Sequence, residues 1–377
     1  MKRANDAPSA PRLLQGGPQE GPPRKDKPKR GRILPFLAVL LTVLSVLALL
    51  HLFAPQLPFH QRLSTQPFIA QVLAFPMALG LFFFAGGLGS VLWSVRQKKK
   101  GRAQKKLKFY CHALCFLLSA LFLFSLTSLG VSGGVKEPLQ KEGAKVRLLT
   151  WNALHTFDEE IARRIFTQLN VQVAVFPELS LGESEEGPRA GDNPLKAVME
   201  RAGLAVDEYD FFESPKPYNV KPVVAIVHRS LGRYESKPVF QTSLGTLHLV
   251  PKEGTRGPEI LGLHTYPPLP FFEFLWNEDL QRIRDWVQSE GKNAWILGDF
   301  NATLRHGALS SLTEHQDALH KVPFWRRGTW NTAHPFFLRA GIDHLLVPKD
   351  AQILKSETIV LKGSDHLAIY LEAQLPQ

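Results

Sequence analysis

Cysteine is almost absent from this chain: Cys111 and Cys115 are the only two in 377 residues, both lie inside an apolar run, and nothing after Cys115 contains one. A disulfide framework and a thiolate zinc site are thereby excluded. Charge is missing from three long stretches as well. The runs of about Ile33 to Pro55, Phe68 to Val95 and Phe109 to Ser132 carry no Asp, Glu, Lys or Arg in their middle. No repeat of fixed period is visible, which argues against a solenoid. What is present is ample apolar material, 44% with 10% aromatic, enough for a sizeable core and too much for a wholly disordered or fibrous chain.

The net charge of +11 would by itself suggest a nucleic-acid or membrane-surface partner. Its distribution changes that reading. Met1 to Lys145 holds 21 basic and 5 acidic residues, or +16; the remainder holds 24 basic and 29 acidic, or −5. The basic excess therefore lies entirely in the N-terminal segment. Each of the three apolar runs exceeds the ~20 residues needed to cross ~30 Å of hydrocarbon. These features predict a disordered basic tail over 1–32, three transmembrane helices over 33–132, a short linker over 133–145 and a soluble domain over 146–377. A cleaved signal peptide fits the first run poorly, because the run is long and no small-x-small cleavage site precedes more hydrophobic sequence. His112, beside the two cysteines, is read as a packing residue.

Lys and Arg counts set the expected orientation. The tail before the first run carries Arg24, Lys25, Lys27, Lys29, Arg30 and Arg32. The loop from Arg96 to Lys108 carries eight basic residues, whereas the loop between the first two runs offers only Arg62. The tail and the basic loop are expected on the cytoplasmic side of a plasma or inner membrane. Three crossings then deliver the soluble domain to the outside, where a cysteine-free domain cannot be misoxidised.

In the soluble part, Val146 to Trp151 and Val171 to Phe176 read as strands. Between them Ile161, Ala162, Ile165, Phe166 and Leu169 have the spacing of a helix with one buried face over 157–169. Further strands are expected around Val220 to Val227, Leu247 to Val250, Ile260 to His264, Ala294 to Leu297, Ile342 to Val347, Thr358 to Leu361 and Leu367 to Leu371. An amphipathic helix is expected from Phe271 to Val287. Many short strands with few helices predict a layered α/β domain, two sheets face to face with helices outside.

Polar clusters follow these strands. Thr150-Trp151-Asn152 ends the first and Phe176-Pro177-Glu178 the second; His264-Thr265-Tyr266-Pro267-Pro268 ends a later one. Then come Gly298-Asp299-Phe300-Asn301, Gly341-Ile342-Asp343-His344 and Gly363-Ser364-Asp365-His366. Singly, each reads as a turn or a cap; six in this order do not arise readily by chance. Over about Val146 to Ala373 the chain resembles the endonuclease/exonuclease/phosphatase (DNase I-like) superfamily. With Thr329-Trp330, it looks most like the bacterial branch carrying N-terminal membrane helices.

The resemblance implies a four-layer α/β/β/α sandwich and hydrolysis of a phosphoester or pyrophosphate by in-line water attack on phosphorus. It implies that Asn152 and Glu178 belong to a metal site, with Glu178 the principal ligand and Asp365 a second. Oxygen ligands and a phosphorylated substrate point to Mg²⁺, or Mn²⁺. It also implies that Asp299 orients or deprotonates the water, Asn301 holds phosphate or water, His366 paired with Asp343 acts as phosphate ligand or proton carrier, and His264 stabilises the transition state. Arg326, Arg327 and Trp330 read either as a solvated loop or as contacts to phosphate and the substrate tail. His155 and His306 lie close enough in sequence to reach such a pocket but read first as loop histidines without a role in it, whereas strand alternation turns His344 away from it.

A nuclease is expected to present a basic face to its polyanion; this domain is net −5. A membrane-associated lipid or polyprenyl phosphate is the expected substrate, with extracytoplasmic nucleic acid as the alternative and an inactive membrane-anchored binding module as a third reading.

Overall fold

The computed structural model describes residues 33–96, 102–128, 144–182, 193–215 and 220–375. The expected tail over 1–32, most of the linker and part of the basic loop lie outside the described residues. The N-terminal part holds three long helices, α1 (Ile33–Phe53), α4 (Pro76–Arg96) and α5 (Arg102–Ser128), with two short ones, α2 (Pro58–Ser64) and α3 (Ile69–Leu73), between the first pair. All three long helices are apolar and long enough to cross a membrane. The second apolar run is not one helix. It breaks ahead of Pro76, whose ring disfavours a helical residue before it and which lacks an N–H to continue the ladder, so the long helix starts there.

Among the described residues, twelve strands form two six-stranded sheets. The first contains β1 (Lys145–Thr150), β2 (Val173–Phe176), β3 (Tyr209–Glu213), β4 (Val224–His228), β11 (Gln352–Val360) and β12 (Leu367–Gln374), in the order β11-β12-β1-β2-β4-β3. The second contains β5 (Tyr234–Lys237), β6 (Thr246–Pro251), β7 (Ile260–His264), β8 (Trp295–Asp299), β9 (His315–Asp317) and β10 (Asp343–Pro348), in the order β5-β6-β7-β8-β10-β9. Each sheet has a single parallel pair at its centre, β1 with β2 and β7 with β8, flanked by antiparallel partners.

The sheets pack through a core drawn from both, including Leu148, Val175, Leu249, Trp295 and Leu345. The outer face of the first sheet buries Leu149, Phe176 and Ile226 against Ile161, Ile165, Leu195 and Met199. These come from α6 (Glu159–Ala162), a π-helical turn (Arg163–Gln168) and α7 (Pro194–Arg201). The expected helix over 157–169 is thus a short α turn running into a π turn, which keeps Ile165 and Phe166 on the buried face. On the outer face of the second sheet, α8 (Glu273–Ser289) buries Trp276, Leu280 and Ile283 over Leu261, Ile296 and Phe300. This is the expected α/β/β/α order.

The segment joining α1 to α4 packs on this domain. Ala70 of α3 is buried in the same core as Trp276 and Phe300. The loop after β8 supplies most of the contacts. Arg305, almost wholly buried, donates from Nη1 to the carbonyls of His51 (2.7 Å) and Leu52 (2.8 Å) at the C-terminal end of α1, where orphan carbonyls and the helix dipole favour a cation. His306 accepts the Thr303 N–H at Nδ1 (2.9 Å), so its Nε2 carries the proton and donates to Ala70 O (3.1 Å). Burial pushes this ring down to about 4. Gly307 N donates to Ser64 Oγ, Ser310 Oγ to Pro55 O, and Gln61 Nε2 to Ser311 Oγ.

Candidate active site

Strand register builds the site. In the second sheet, His264 at the end of β7 pairs with Asp299 at the end of β8, and Asp299 pairs on its other side with Asp343 at the start of β10. The three side chains therefore stand in one row, His264, Asp299, Asp343. The first sheet contributes a second row in the matching order: Glu178 follows β2, Asn152 follows β1 and His366 precedes β12. Across the gap the rows meet in pairs. His264 Nε2 lies 3.9 Å from Glu178 Oε1, Asn152 Nδ2 donates to Asp299 Oδ2 at 3.0 Å, and His366 Nδ1 lies 2.9 Å from Asp343 Oδ2. Asn152 Nδ2 also reaches Glu178 Oε1 at 3.0 Å, so one amide ties two carboxylates.

Local backbone makes this arrangement available. Gly298 sits in β8 with φ +151°, and a Cβ there would collide with the carbonyl oxygen of Leu263 on the neighbouring strand. Glycine lets β7 and β8 approach where His264 and Asp299 come side by side. Glu178 (φ +58°) and Asn301 (φ +46°) are left-handed. Asn adopts this readily; for Glu it costs roughly 1–2 kcal/mol, a strain of the kind that gathers at functional sites. Asn301 is locked by its own N–H on Asp299 Oδ1 (2.8 Å) and by its amide on Thr265 O (2.9 Å).

The electrostatics are sharply divided. Burial and then the neighbouring Asp343 raise the Asp299 carboxyl far above the ordinary carboxylate range, partly opposed by His366 and by the bond from Asn152. Burial alone would lower His366, but the charges of Asp343, Asp299 and Asp365 outweigh it and carry the ring up to about 10. His264 has no carboxylate bonded to it; burial, then repulsion from His366, push it down to about 3. The site thus pairs a charged imidazole with a neutral one on either side of a buried carboxylate.

Not every expected site residue joins this cluster. Asp365 stands at its edge: Oδ2 accepts from Trp330 Nε1 (2.7 Å) and Asn331 Nδ2 (3.1 Å), while Oδ1 is 3.8 Å from His366 Nε2. Trp330 is accordingly a buttress of Asp365. Arg327 is turned away, its guanidinium donating to Val322 O and His320 O, so the expected substrate contact fails at this residue because local carbonyls capture it. Arg326 is exposed; its guanidinium makes a long contact to Thr358 O at 3.5 Å, and its carbonyl accepts from Thr358 Oγ1 at 3.2 Å. His306 is consumed by the joining segment, and His344 binds Asp317 (2.6 Å) and Ala302 O (2.8 Å) on the opposite face of β10. His155 is exposed and meets the carbonyl of Glu178 at 3.2 Å.

Three residues that the sequence motifs contain, but to which the sequence attached no role, support the site. Thr329 Oγ1 accepts the N–H groups of Ile342 and Asp343, Trp151 Nε1 donates to His366 O, and Ser364 Oγ donates to Asn152 O. They fix strand ends relative to one another, a role with no local signature.

The donor set suits a hard divalent cation. Glu178 and Asp299 present carboxylate oxygens around the Asn152 amide, and a cation there would offset the burial and the Asp343 charge that together raise the Asp299 carboxyl. Among the described residues, ligand atoms of Asp299, Asp343 and His366 also lie within 4.8 Å of one another.

The sequence model of the endonuclease/exonuclease/phosphatase family matches residues 149–366, more than half of the chain. Similar solved structures include D. rerio TDP2 complexed with single-strand DNA product, at 15% identity over 61% of this chain and 99% of that one (TM-score 0.46). An endonuclease/exonuclease/phosphatase from Beutenbergia cavernae matches at 17% over 61% and 72% (0.46). The human Nocturnin catalytic domain matches at 16% over 62% and 95% (0.41). None of the curated proteins matches the chain.

Proposed function

The chain belongs to the endonuclease/exonuclease/phosphatase family, and on that premise we propose that it is a membrane-anchored, metal-dependent phosphoesterase acting on a lipid-linked phosphoester or pyrophosphate. Members of the family are hydrolases of phosphoester bonds and generally depend on a divalent metal. The observation that carries the finer reading is the docking of the α1–α4 segment on the loop after β8. That loop begins at Asp299 and Asn301, and at Arg305 it caps the end of an apolar helix long enough to span a bilayer. This docking supports a cleft near the plane of lipid phosphates, where they are presented at high effective concentration. The net charge of −5 after Lys145 gives no track for a polynucleotide.

In this mechanism Glu178, with Asn152 and Asp299 beside it, would hold the ion, Mg²⁺ by the hardness of the donors. When bound, it supplies neutralisation of charge developing on the phosphoryl oxygens. Asp299, fixed by Asn152, orients the attacking water and accepts its proton as the new O–P bond forms. His366, kept charged by Asp343, binds a phosphoryl oxygen or delivers a proton to the leaving group. His264, neutral at physiological pH, donates a hydrogen bond without adding charge. Asn301 holds the phosphate with an amide whose position is already set. In-line attack by water completes the reaction.

The contacts of the α1–α4 segment also support a common side for that segment and the catalytic domain. With the Lys and Arg asymmetry, they support a cytoplasmic N-terminus and an extracytoplasmic site. The test is turnover by the full chain in vesicles, with Mg²⁺, Mn²⁺ or excess chelator, on DNA, RNA, phospholipids and a polyprenyl pyrophosphate. Metal-dependent release from the lipid substrates is expected; cleavage of nucleic acid alone would overturn the substrate class.

A further inference from the structure

Among the described residues after 144, exposed aromatic side chains are confined to three segments. Every exposed Phe, Tyr or Trp there is one of Phe271, Phe272, Phe274, Phe324, Trp325 and Phe336. Phe271 is 90% exposed, an extreme value for a residue that would lose contact with water wherever a surface offered it. The three segments are continuous with the long apolar helices. Gln71 of α3 donates its side-chain amide to Pro268 O, tying the 265–272 loop to the α1–α4 segment. The turn Phe336–Leu338 packs against α4, and the turn Phe324–Arg326 packs against that turn. Two of the segments leave directly from the site: one follows His264, the other lies between Trp330 and Asp343.

We propose that residues 269–274, 324–325 and 336–338 form an apolar rim that seats in the lipid interface beside α4, so that the catalytic cleft opens onto the bilayer surface. The partner is the bilayer that the long helices enter, and the inference rests on those helices spanning it. Aromatic rings suit that depth, with apolar bodies among the acyl chains near the headgroups. The one charged residue within 269–274, Glu273, is already buried in the fold, so entry of the rim exposes no new charge to lipid. A substrate held in the bilayer would reach His264 and Asp299 without leaving it.

Photocross-linking of the full chain in phosphatidylcholine vesicles tests this without touching the native cysteines. Phe271→p-benzoylphenylalanine and Phe336→p-benzoylphenylalanine keep an aromatic ring at exposed positions that the fold does not need. Val43 in α1 provides a lipid-exposed reference, and Lys252, just after the far end of β6, an aqueous one. Lipid adducts are expected at 271, 336 and 43, at least ~10-fold above those at 252. Adducts at 43 with 271 and 336 no higher than 252 would overturn the rim while leaving the membrane helices standing. Absence of adducts at 43 would overturn the membrane reading and the rim together.

Discussion

Replacing Asp343 by Asn tests the division of charge in the site. The Asp343 carboxylate contacts His366 Nδ1 through both oxygens, at 2.9 and 3.2 Å, and is the largest of the charges that carry the ring from 6.5 up to about 10. That difference corresponds to roughly 5 kcal/mol of preference for the charged ring. Asn has nearly the same shape and keeps the strand pairing with Asp299, but it removes the charge. The His366 value then falls, because burial continues to oppose protonation and only the more distant Asp299 and Asp365 remain. Asp299 falls too, since Asp343 is the main charge raising it after burial. Both limbs of the kcat/KM profile should therefore move toward acid. Turnover at neutral pH should drop at least ~100-fold, the scale of a positioned charge group. A pH series on a chromogenic phosphodiester, with circular dichroism as the check on folding, reads this directly. An alkaline limb that stays in place in a folded variant would refute the account of His366, whatever happened to the rate.

Glu178→Gln should lose activity chiefly through weakened metal binding; raising the divalent ion concentration should recover part of it, and an unchanged activation curve would contradict the ligand assignment. Arg305→Met removes two charge-assisted bonds to the end of α1 and should lower the stability of the detergent-solubilised chain by about 2–4 kcal/mol, read as a fall in Tm; an unaltered Tm would mean the docking is energetically idle. His344→Ala should cost stability more than rate, because both ring nitrogens are bonded away from the cleft. Burial lowers this ring, but Asp317 and the bond to it outweigh that and raise it, so its charged-pair contribution is fully present below ~6.5 and is lost as pH rises through the raised folded value. The stability gap between wild type and the His344 variant should accordingly narrow toward alkaline pH, as seen in denaturant titrations.

Family and layers were legible because they follow from short-range pattern. Asn152, Glu178, His264, Asp299, Asp343 and His366 each follow or precede an apolar strand, and strand ends are where a rigid scaffold presents polar groups. The three apolar runs were legible from length alone. Strands β3, β5 and β9 were missed because all three are short edge strands without alternation: in β5 Glu-Ser-Lys faces water after Tyr234, and β9 is buried yet consists of the polar run His-Gln-Asp. The break at Pro76 could have been read from proline's missing N–H; the continuous hydropathy of the run concealed it.

By itself, then, the sequence determined what depends on neighbours along the chain: apolar runs, strand ends, the acidic balance after Lys145 and the types of side chain available for phosphate chemistry. Only tertiary structure decided what depends on approach across the chain. Register set His264, Asp299 and Asp343 in one row against Glu178, Asn152 and His366 in the other, and so made one histidine charged and another neutral. It also gave Arg305, His306 and Gly307 to the α1–α4 segment, some 250 positions earlier, and turned Arg327 from the cleft to local carbonyls. The reason is physical: the charge state of a buried group and the partner of a buried donor are fixed by the few ångströms around it, and those neighbours come from strands and loops that no local pattern connects.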